Sequence, residues 1–332
     1  MKLVRVKYEE VLEDINSRSR QPTNDCKFNT SFHPESDEPN TPVPTELPYS
    51  FRRWLPLVMR SRGLLPADSQ VITFSLSQAR LLLKVANSSI PCGYVNRIYR
   101  EEIKDEILPT LQRLQFPPEG LFMRLEACSA KDGVQSVPGR LSLSSVDDVI
   151  LRLVTSSRAR NALAKILSPD RSDASIGFKP DLEEFKLFFL PFNNRMQLAR
   201  EYRVFCPPVD SLADMHISAI SQYEWHKLWL FAFRSEDHAC RIAKEITRKC
   251  EEILTEIRKD LMSPNEMDRY LLTQGFTFDV LFDEQTRQCQ LIEVNVFGIR
   301  SACGSCLFQW KTDKDVLYSA GGKTETEFRI TY

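Results

Sequence analysis

Apolar residues recur at steps of three and four from Ala239 through Ile242, Ile246, Cys250, Ile253, Leu254 and Ile257 to Leu261, one stripe of an amphipathic helix. Ser235 stands where it would cap that helix, and Glu236 and Asp237 fall in the first turn, where the helix dipole favours acids. Ser263-Pro264 would end it. Beyond the helix the period drops to two. In Phe276-Thr-Phe-Asp-Val-Leu-Phe282 and Gln290-Leu-Ile-Glu-Val-Asn-Val296 the even positions 276–282 and 292–296 are apolar, which predicts two strands joined by a polar turn.

Shorter apolar runs predict strands over 121–126, 185–190, 200–206 and 216–222, while 148–154 reads as a strand or a helix start. Residues 225–233 are apolar and aromatic. Residues 2–16 read as a short helix, and 51–118 as mainly helical and loop-rich, with 108–114 a helix tail or a connection. Residues 17–48 are dense in Ser, Asn, Thr, Pro and Glu. They carry too little apolar surface to offset the entropy of ordering, so a mobile segment is expected. The tail, 311–332, is polar and is expected to be poorly ordered. There is no internal repeat, and strands mixed with helices in this order predict an α+β fold with a largely antiparallel sheet.

Composition narrows the class. At 332 residues and 42% hydrophobic, the chain can bury a sizeable core and form one large two-lobed unit. Lys+Arg 44 against Asp+Glu 45 leaves no basic excess for a general polyanion binder, so direct nucleic-acid contact is not expected. The nine cysteines are odd in number and irregularly spaced, which fits free thiols in a reducing compartment. The first residues lack a signal-peptide core and no stretch is apolar enough to span a bilayer, so a cytoplasmic protein without a membrane partner is expected.

Chemistry concentrates on the strand pair. If both even sets face the core, Asp279, Glu293 and Asn295 share the opposite face, together with Leu281, Leu291 and Phe297. Two carboxylates and an amide oxygen that close repel one another unless a cation intervenes. All three are hard oxygen ligands, suited to Mg²⁺ and not to Zn²⁺. An ordinary hairpin with a polar outer face would show the same alternation.

In Arg200-Glu-Tyr-Arg-Val-Phe205, Glu201 and Arg203 share a face, where they would form an ion pair or Arg203 would meet phosphate oxygens bidentately. Residues 122–132 read as a strand entering a small-residue loop with cations, Arg124 and Lys131, at both ends; such a loop can lie over phosphates. No Walker pattern occurs. Cys303 and Cys306 have no second pair at zinc spacing, and the four histidines are scattered.

These segments, in this order, resemble the cell division cycle protein 123 family. Phe51-Arg-Arg-Trp54 is similar to its F-x-x-W motif, and 122–132 to F-P-K-x-N-W-S-A-P-K-D. Arg200–Phe205 with Ile220-Ser-Gln222 resembles R-E-F-R-V-F followed by I-S-Q-R. Phe278-Asp-Val280, Leu291-Ile-Glu-Val-Asn-Val-Phe297 and Leu307-Phe-Gln-Trp310 resemble F-D-V, L-I-D-F-N-P-F and L-F-x-W. The resemblance covers 51–310 in scattered blocks whose shared order is the specific signal.

It implies a two-lobed ATP-grasp-like unit over 51–310, with a lobe boundary near 180–200, holding ATP and Mg²⁺ between the lobes. It also implies a role in assembling translation initiation factor 2 through its gamma subunit, and so in translation initiation and cell-cycle progression. By resemblance Asp279, Glu293 and Asn295 would chelate Mg²⁺, while Arg124, Lys131, Glu201 and Arg203 would lie near the nucleotide, with no catalytic residue assigned.

The departures fall on the cationic side. Arg124 replaces a lysine, Glu126, Ala127 and Cys128 replace N-W-S, Val154 stands where a lysine is expected, and Tyr223 replaces an arginine. On the metal side Glu293 for Asp is conservative, and Val296 replaces a proline. The chain reads as a divergent member or paralogue. Two further readings stay open: an ATP-grasp ligase that activates a carboxylate, against which no nucleophile or general base stands out, and a nucleotide-free interaction module.

Overall fold

Two sheets carry the fold. The computed structural model describes residues 1–20, 26–168, 184–261, 265–319 and 325–332; Ser263-Pro264 falls outside them. In chain order the elements are β1 (Lys2–Val6), α1 (Tyr8–Arg20), α2 (Phe51–Ser61), β2 (Gln70–Ser75), α3 (Leu76–Ser89), α4 (Arg100–Glu102), α5 (Leu108–Leu111) and β3 (Leu121–Leu125). There follow α6 (Val146–Val154), α7 (Ser157–Leu167), β4 (Glu184–Pro191), β5 (Glu201–Cys206), β6 (Ala219–Gln222), α8 (Glu236–Asp260), α9 (Glu266–Gln274), β7 (Phe276–Asp283), β8 (Gln288–Val296), α10 (Lys314–Leu317) and β9 (Glu327–Thr331). The mixed, mostly antiparallel architecture expected from the periodicities is the one observed.

The chain divides into two compact units, Met1–Leu64 with Arg195–Tyr332, and Leu65–Asn194. The first holds a six-stranded sheet in the order β1-β9-β6-β5-β7-β8. The β6–β5, β5–β7 and β7–β8 pairs are antiparallel, and β9 is parallel to both β1 and β6. Helix α8 buries Ala239, Ile246, Cys250, Ile253, Leu254 and Ile257, most of the predicted stripe. Ser235 sits at its N-cap position, although its side chain makes no capping hydrogen bond. Strand β7 is buried along its whole length, so both faces of the sheet are covered at that strand.

Three expectations about the ends of the chain are overturned. Residues 2–6 form β1, and the helix begins only at Tyr8. The polar tail ends in β9, an interior strand with Phe328 and Ile330 buried, inserted between β1 and β6. Each strand is short, and its stabilising partner lies at the other end of the sequence, Lys2 opposite Glu327, beyond the reach of any local pattern. The described part of 17–48 is attached as well. Phe28 packs with Val11 and Leu307, and the backbone N–H groups of Asn29, Phe32 and His33 donate to carbonyls of Cys306, Ser301 and Ile299 at 2.7, 2.9 and 3.0 Å.

The second unit carries the antiparallel sheet β2-β4-β3. One apolar cluster joins its strands (Phe74, Leu125, Phe189) to α3 (Leu82, Val85), α6 (Val149, Leu153) and α7 (Leu163). Strand β2 was absent from the helical reading of 51–118. The ambiguous 148–154 run is helical, with Ser145 accepting the Asp148 N–H as its cap.

Candidate functional site

The site is built on a row of cross-strand neighbours. Register places Ser221 of β6 opposite Arg203 of β5, Arg203 opposite Asp279 of β7, and Asp279 opposite Glu293 of β8. Residues directly opposite in an antiparallel pair share a face, so this row crosses four strands on one side of the sheet. Thr277 opposite Asn295 forms the next row. The sequence thus placed Asp279, Glu293 and Asn295 together correctly.

It did not anticipate a β-bulge immediately beyond them. Asp279 pairs with Glu293, but Val280 pairs with Leu291, so Ile292 is the extra residue. The alternation inverts there. Leu291, expected beside the polar set, lies opposite Val280 and is fully buried, while Ile292 is only half-buried. The end of α2 satisfies the backbone at this irregularity: the Ser61 hydroxyl accepts the Leu291 N–H at 2.9 Å, and Arg62 Nε donates to the Leu291 carbonyl at 3.3 Å.

Asp279 is 1% exposed and Arg203 7%. Arg203 donates from Nε to Asp279 Oδ1 at 2.8 Å and from Nη2 to Oδ2 at 2.7 Å, and its Nη1 donates to the Gly304 carbonyl at 2.7 Å. This is the bidentate fork that suits a buried carboxylate. The guanidinium also lies 5.0 Å from the centre of the Tyr223 ring, a cation–π contact. Asn295 Nδ2 donates to Asp279 Oδ2 at 3.2 Å.

Burial pushes the Asp279 carboxyl up, the Arg203 charge pulls it down, and neighbouring Glu293 adds to the rise; the net direction is upward. Burial works against the Arg203 charge, but Asp279 more than offsets it and Arg203 stays protonated. One arginine therefore faces two carboxylates, and a further cation would relieve the repulsion between them.

Segment 297–310 covers this face. Phe297, Ile299, Phe308 and Trp310 pack with Phe205 of β5, and the Gly304 carbonyl reaches Arg203. Cys303 lies against the Thr277 hydroxyl at 3.2 Å. Burial raises both thiols of the C-x-x-C, Cys306 to about 12, so both are held as unreactive protonated thiols.

The donor set fits a hard cation in a particular way. Each carboxylate oxygen has two lone pairs. Oδ2 of Asp279 already accepts two hydrogen bonds and Oδ1 one. Glu293 and Asn295 are half-exposed, and Asn295, having turned its Nδ2 toward Asp279, has its carbonyl oxygen to offer. Among the described residues no three His, Cys, Asp or Glu side chains converge as a metal cage. An ion here would rest on two acids and an amide, completing its shell with water or ligand oxygens, as Mg²⁺ does.

Glu201 is half-buried, two residues along β5 from Arg203 and opposite Leu281. Arg124 and Lys131 belong to the second unit. Arg124 is buried in β3 opposite Phe188, and Lys131 is exposed in the loop after it. That loop serves the fold directly: Asp132 accepts from the Ser156 hydroxyl at 2.5 Å and from the Arg158 N–H at 3.1 Å at the start of α7. A Cβ on Gly133 would sit 2.1 Å from the Arg152 carbonyl. Val154 is fully buried in the apolar cluster, so a valine there serves packing. Sequence reasoning did not identify Tyr223 or the Gly304 carbonyl as partners of Arg203. Only the Arg203–Ser221 register, which carries the chain on to Tyr223, would have found the first.

The fold and site define an α+β protein of two units, one of which carries a buried arginine–aspartate pair flanked by half-exposed oxygen donors. No protein-family model matches the chain, and no curated protein matches its sequence. Solved structures do. Cdc123 from Schizosaccharomyces pombe superposes with a TM-score of 0.54 at 19% identity, over 86% of this chain and 96% of that one. A C-terminally truncated form of the same protein gives 0.52 at 20% identity with the same coverage. The chain has a Cdc123-like fold, and the motif order in its sequence resembles that same family. Among the described residues no helix is long and apolar enough to cross a membrane.

Proposed function

We propose that this chain is an Mg-nucleotide-binding assembly factor of the Cdc123 type, with a two-lobed ATP-grasp-like unit over 51–310, acting on the gamma subunit of translation initiation factor 2. The observation that carries the metal half is the row Arg203–Asp279–Glu293 with Asn295 beside it. In this reading Glu293 and the Asn295 carbonyl oxygen are the exposed ligands of Mg²⁺, and Asp279 is the buried one. Arg203 is a positioning residue that fixes the Asp279 carboxylate by its fork, and Glu201 lies at the nucleotide end of β5. Bound Mg²⁺ would neutralise phosphate charge; the protein's own part is to hold the oxygen donors in place. The partner is supported by the motif resemblance together with the fold.

Isothermal calorimetry of the full chain with Mg-ATP tests the first half. Heat that disappears in Glu293→Gln and in Asn295→Ala, and on replacing Mg²⁺ with EDTA, is the expected result. A folded wild-type protein that takes up no Mg-ATP sinks the nucleotide reading and favours an interaction module. Retention of the purified gamma subunit tests the second half; failure to retain it with and without Mg-ATP removes the assembly role.

A further inference from the structure

The second unit contains a cavity of about 640 Å³, within the range of ligand sites, about 300–1,000 Å³. One wall is the helical stretch from Arg97 to Leu111, which passes through a π turn at Ile103–Ile107 between α4 and α5. Such insertions are frequent at functional sites. Arg97, Arg100 and Lys104 follow at helical spacing and all line the cavity. The facing wall is α6, which contributes Ile150 and Leu151, and Val95, Ile103 and Leu108 complete the apolar lining.

The charges on this wall are not answered from within. The exposed side chains of Arg97 and Arg100 make no hydrogen bond or ion pair among the described residues, while Lys104 has a loose contact with Glu101 at 3.8 Å. Two acids also line the cavity. Asp148 is already satisfied, by Arg140 at 3.3 Å and by the Ser144 N–H and hydroxyl at 2.8 Å each. Asp147 is then the one lining acid left to answer Arg97 and Arg100. The cavity thus combines a net positive wall with an apolar floor, and Tyr94 (55% exposed) and Ile98 (80% exposed) add apolar surface in the same stretch of chain.

We infer that this cavity is a docking site for an acidic peptide segment of a partner protein that carries an apolar anchor. Its carboxylates would meet Arg97 and Arg100, and an aliphatic or aromatic side chain would enter between α6 and the π turn. The inference is independent of the nucleotide reading, because none of the cavity's lining residues is among those assigned to the metal or the nucleotide.

The test is fluorescence polarisation of the full chain with a short labelled peptide alternating Glu with Leu and Phe. Its controls are the same peptide with Gln for Glu and with Lys for Glu. Saturable binding of the Glu peptide alone is expected. It should weaken about tenfold in Arg97→Gln/Arg100→Gln, since partly exposed ion pairs are worth a few-fold each, and should be replaced by binding of the Lys peptide in Arg97→Glu/Arg100→Glu. These positions are exposed, and unchanged circular dichroism confirms that the variants fold. Three results overturn the inference: equal binding of the Glu and Gln peptides, undiminished binding in the double glutamine variant, or displacement of the peptide by inorganic phosphate at equal concentration, which would make this a small-anion site.

Discussion

Replacing Arg203 with methionine isolates the buried ion pair. Methionine approximates the length of the arginine stem, so packing changes little, but Asp279 loses both bonds of the fork and remains 1% exposed beside Glu293. Removing one partner of a buried pair costs about 3–5 kcal/mol, because the other charge stays desolvated. Loss of the contact with Tyr223 adds about 0.5–1 kcal/mol. Asn295 Nδ2 remains on Asp279 Oδ2 and offsets part of this, so a net loss of about 3–4 kcal/mol is expected. The double variant Arg203→Met/Asp279→Leu removes both charges and should recover most of it, since apolar replacement of a whole buried pair is often neutral or stabilising. Urea unfolding followed by tryptophan fluorescence is a suitable assay, because Trp54, Trp225, Trp229 and Trp310 all lie in the first unit and report that unit alone. If Arg203→Met costs less than about 1 kcal/mol, or the double variant is no more stable than the single one, the pair is not the electrostatic centre of this sheet.

Other outcomes follow from the same fold. Arg195 holds Asp283 at the end of β7 by a forked contact, and the Gln285 and Thr286 N–H groups add to it, lowering its carboxyl to about 2. Its stabilising effect is therefore full above the unfolded value near 4 and is lost as pH falls toward 2; discounted for screening at the half-exposed Arg195, it is about 1 kcal/mol. Asp283→Asn should remove that part of the acid dependence of the urea midpoint. Gly275, at φ 71° and ψ 175°, occupies backbone space that is essentially glycine's alone, and a Cβ there would lie 2.8 Å from the Cys206 carbonyl and the Pro208 nitrogen. Gly275→Ala should cost about 2–3 kcal/mol in chemical denaturation. Phe328→Ala empties a fully buried position of β9 and should cost about 3–5 kcal/mol by the same assay, whereas a disordered tail would give no change.

The elements that were legible in the sequence are those whose signal is local and long. Helix α8 shows its stripe over six turns, and the β7–β8 alternation places Asp279, Glu293 and Asn295 on one face, because side chains alternate whatever the strand's partner. The motif order likewise resembles that of the Cdc123 family, and Cdc123 from Schizosaccharomyces pombe shares this fold. What the tertiary structure decided needed partners distant in sequence. Strands β1 and β9 exist because each supplies the other's backbone hydrogen bonds, and five-residue segments carry no pattern strong enough to announce that. The bulge at Ile292 belongs to the pairing of two strands and is invisible in either one alone. By pattern alone Arg203 reads first as a surface ion pair with Glu201 and second as a phosphate contact; the β5–β7 register sets it opposite Asp279 instead. The sequence by itself determined which oxygen donors stand together; only the folded sheet decided which charge answers them, because electrostatic partnership depends on distance through space and burial, neither of which is encoded in neighbouring residues.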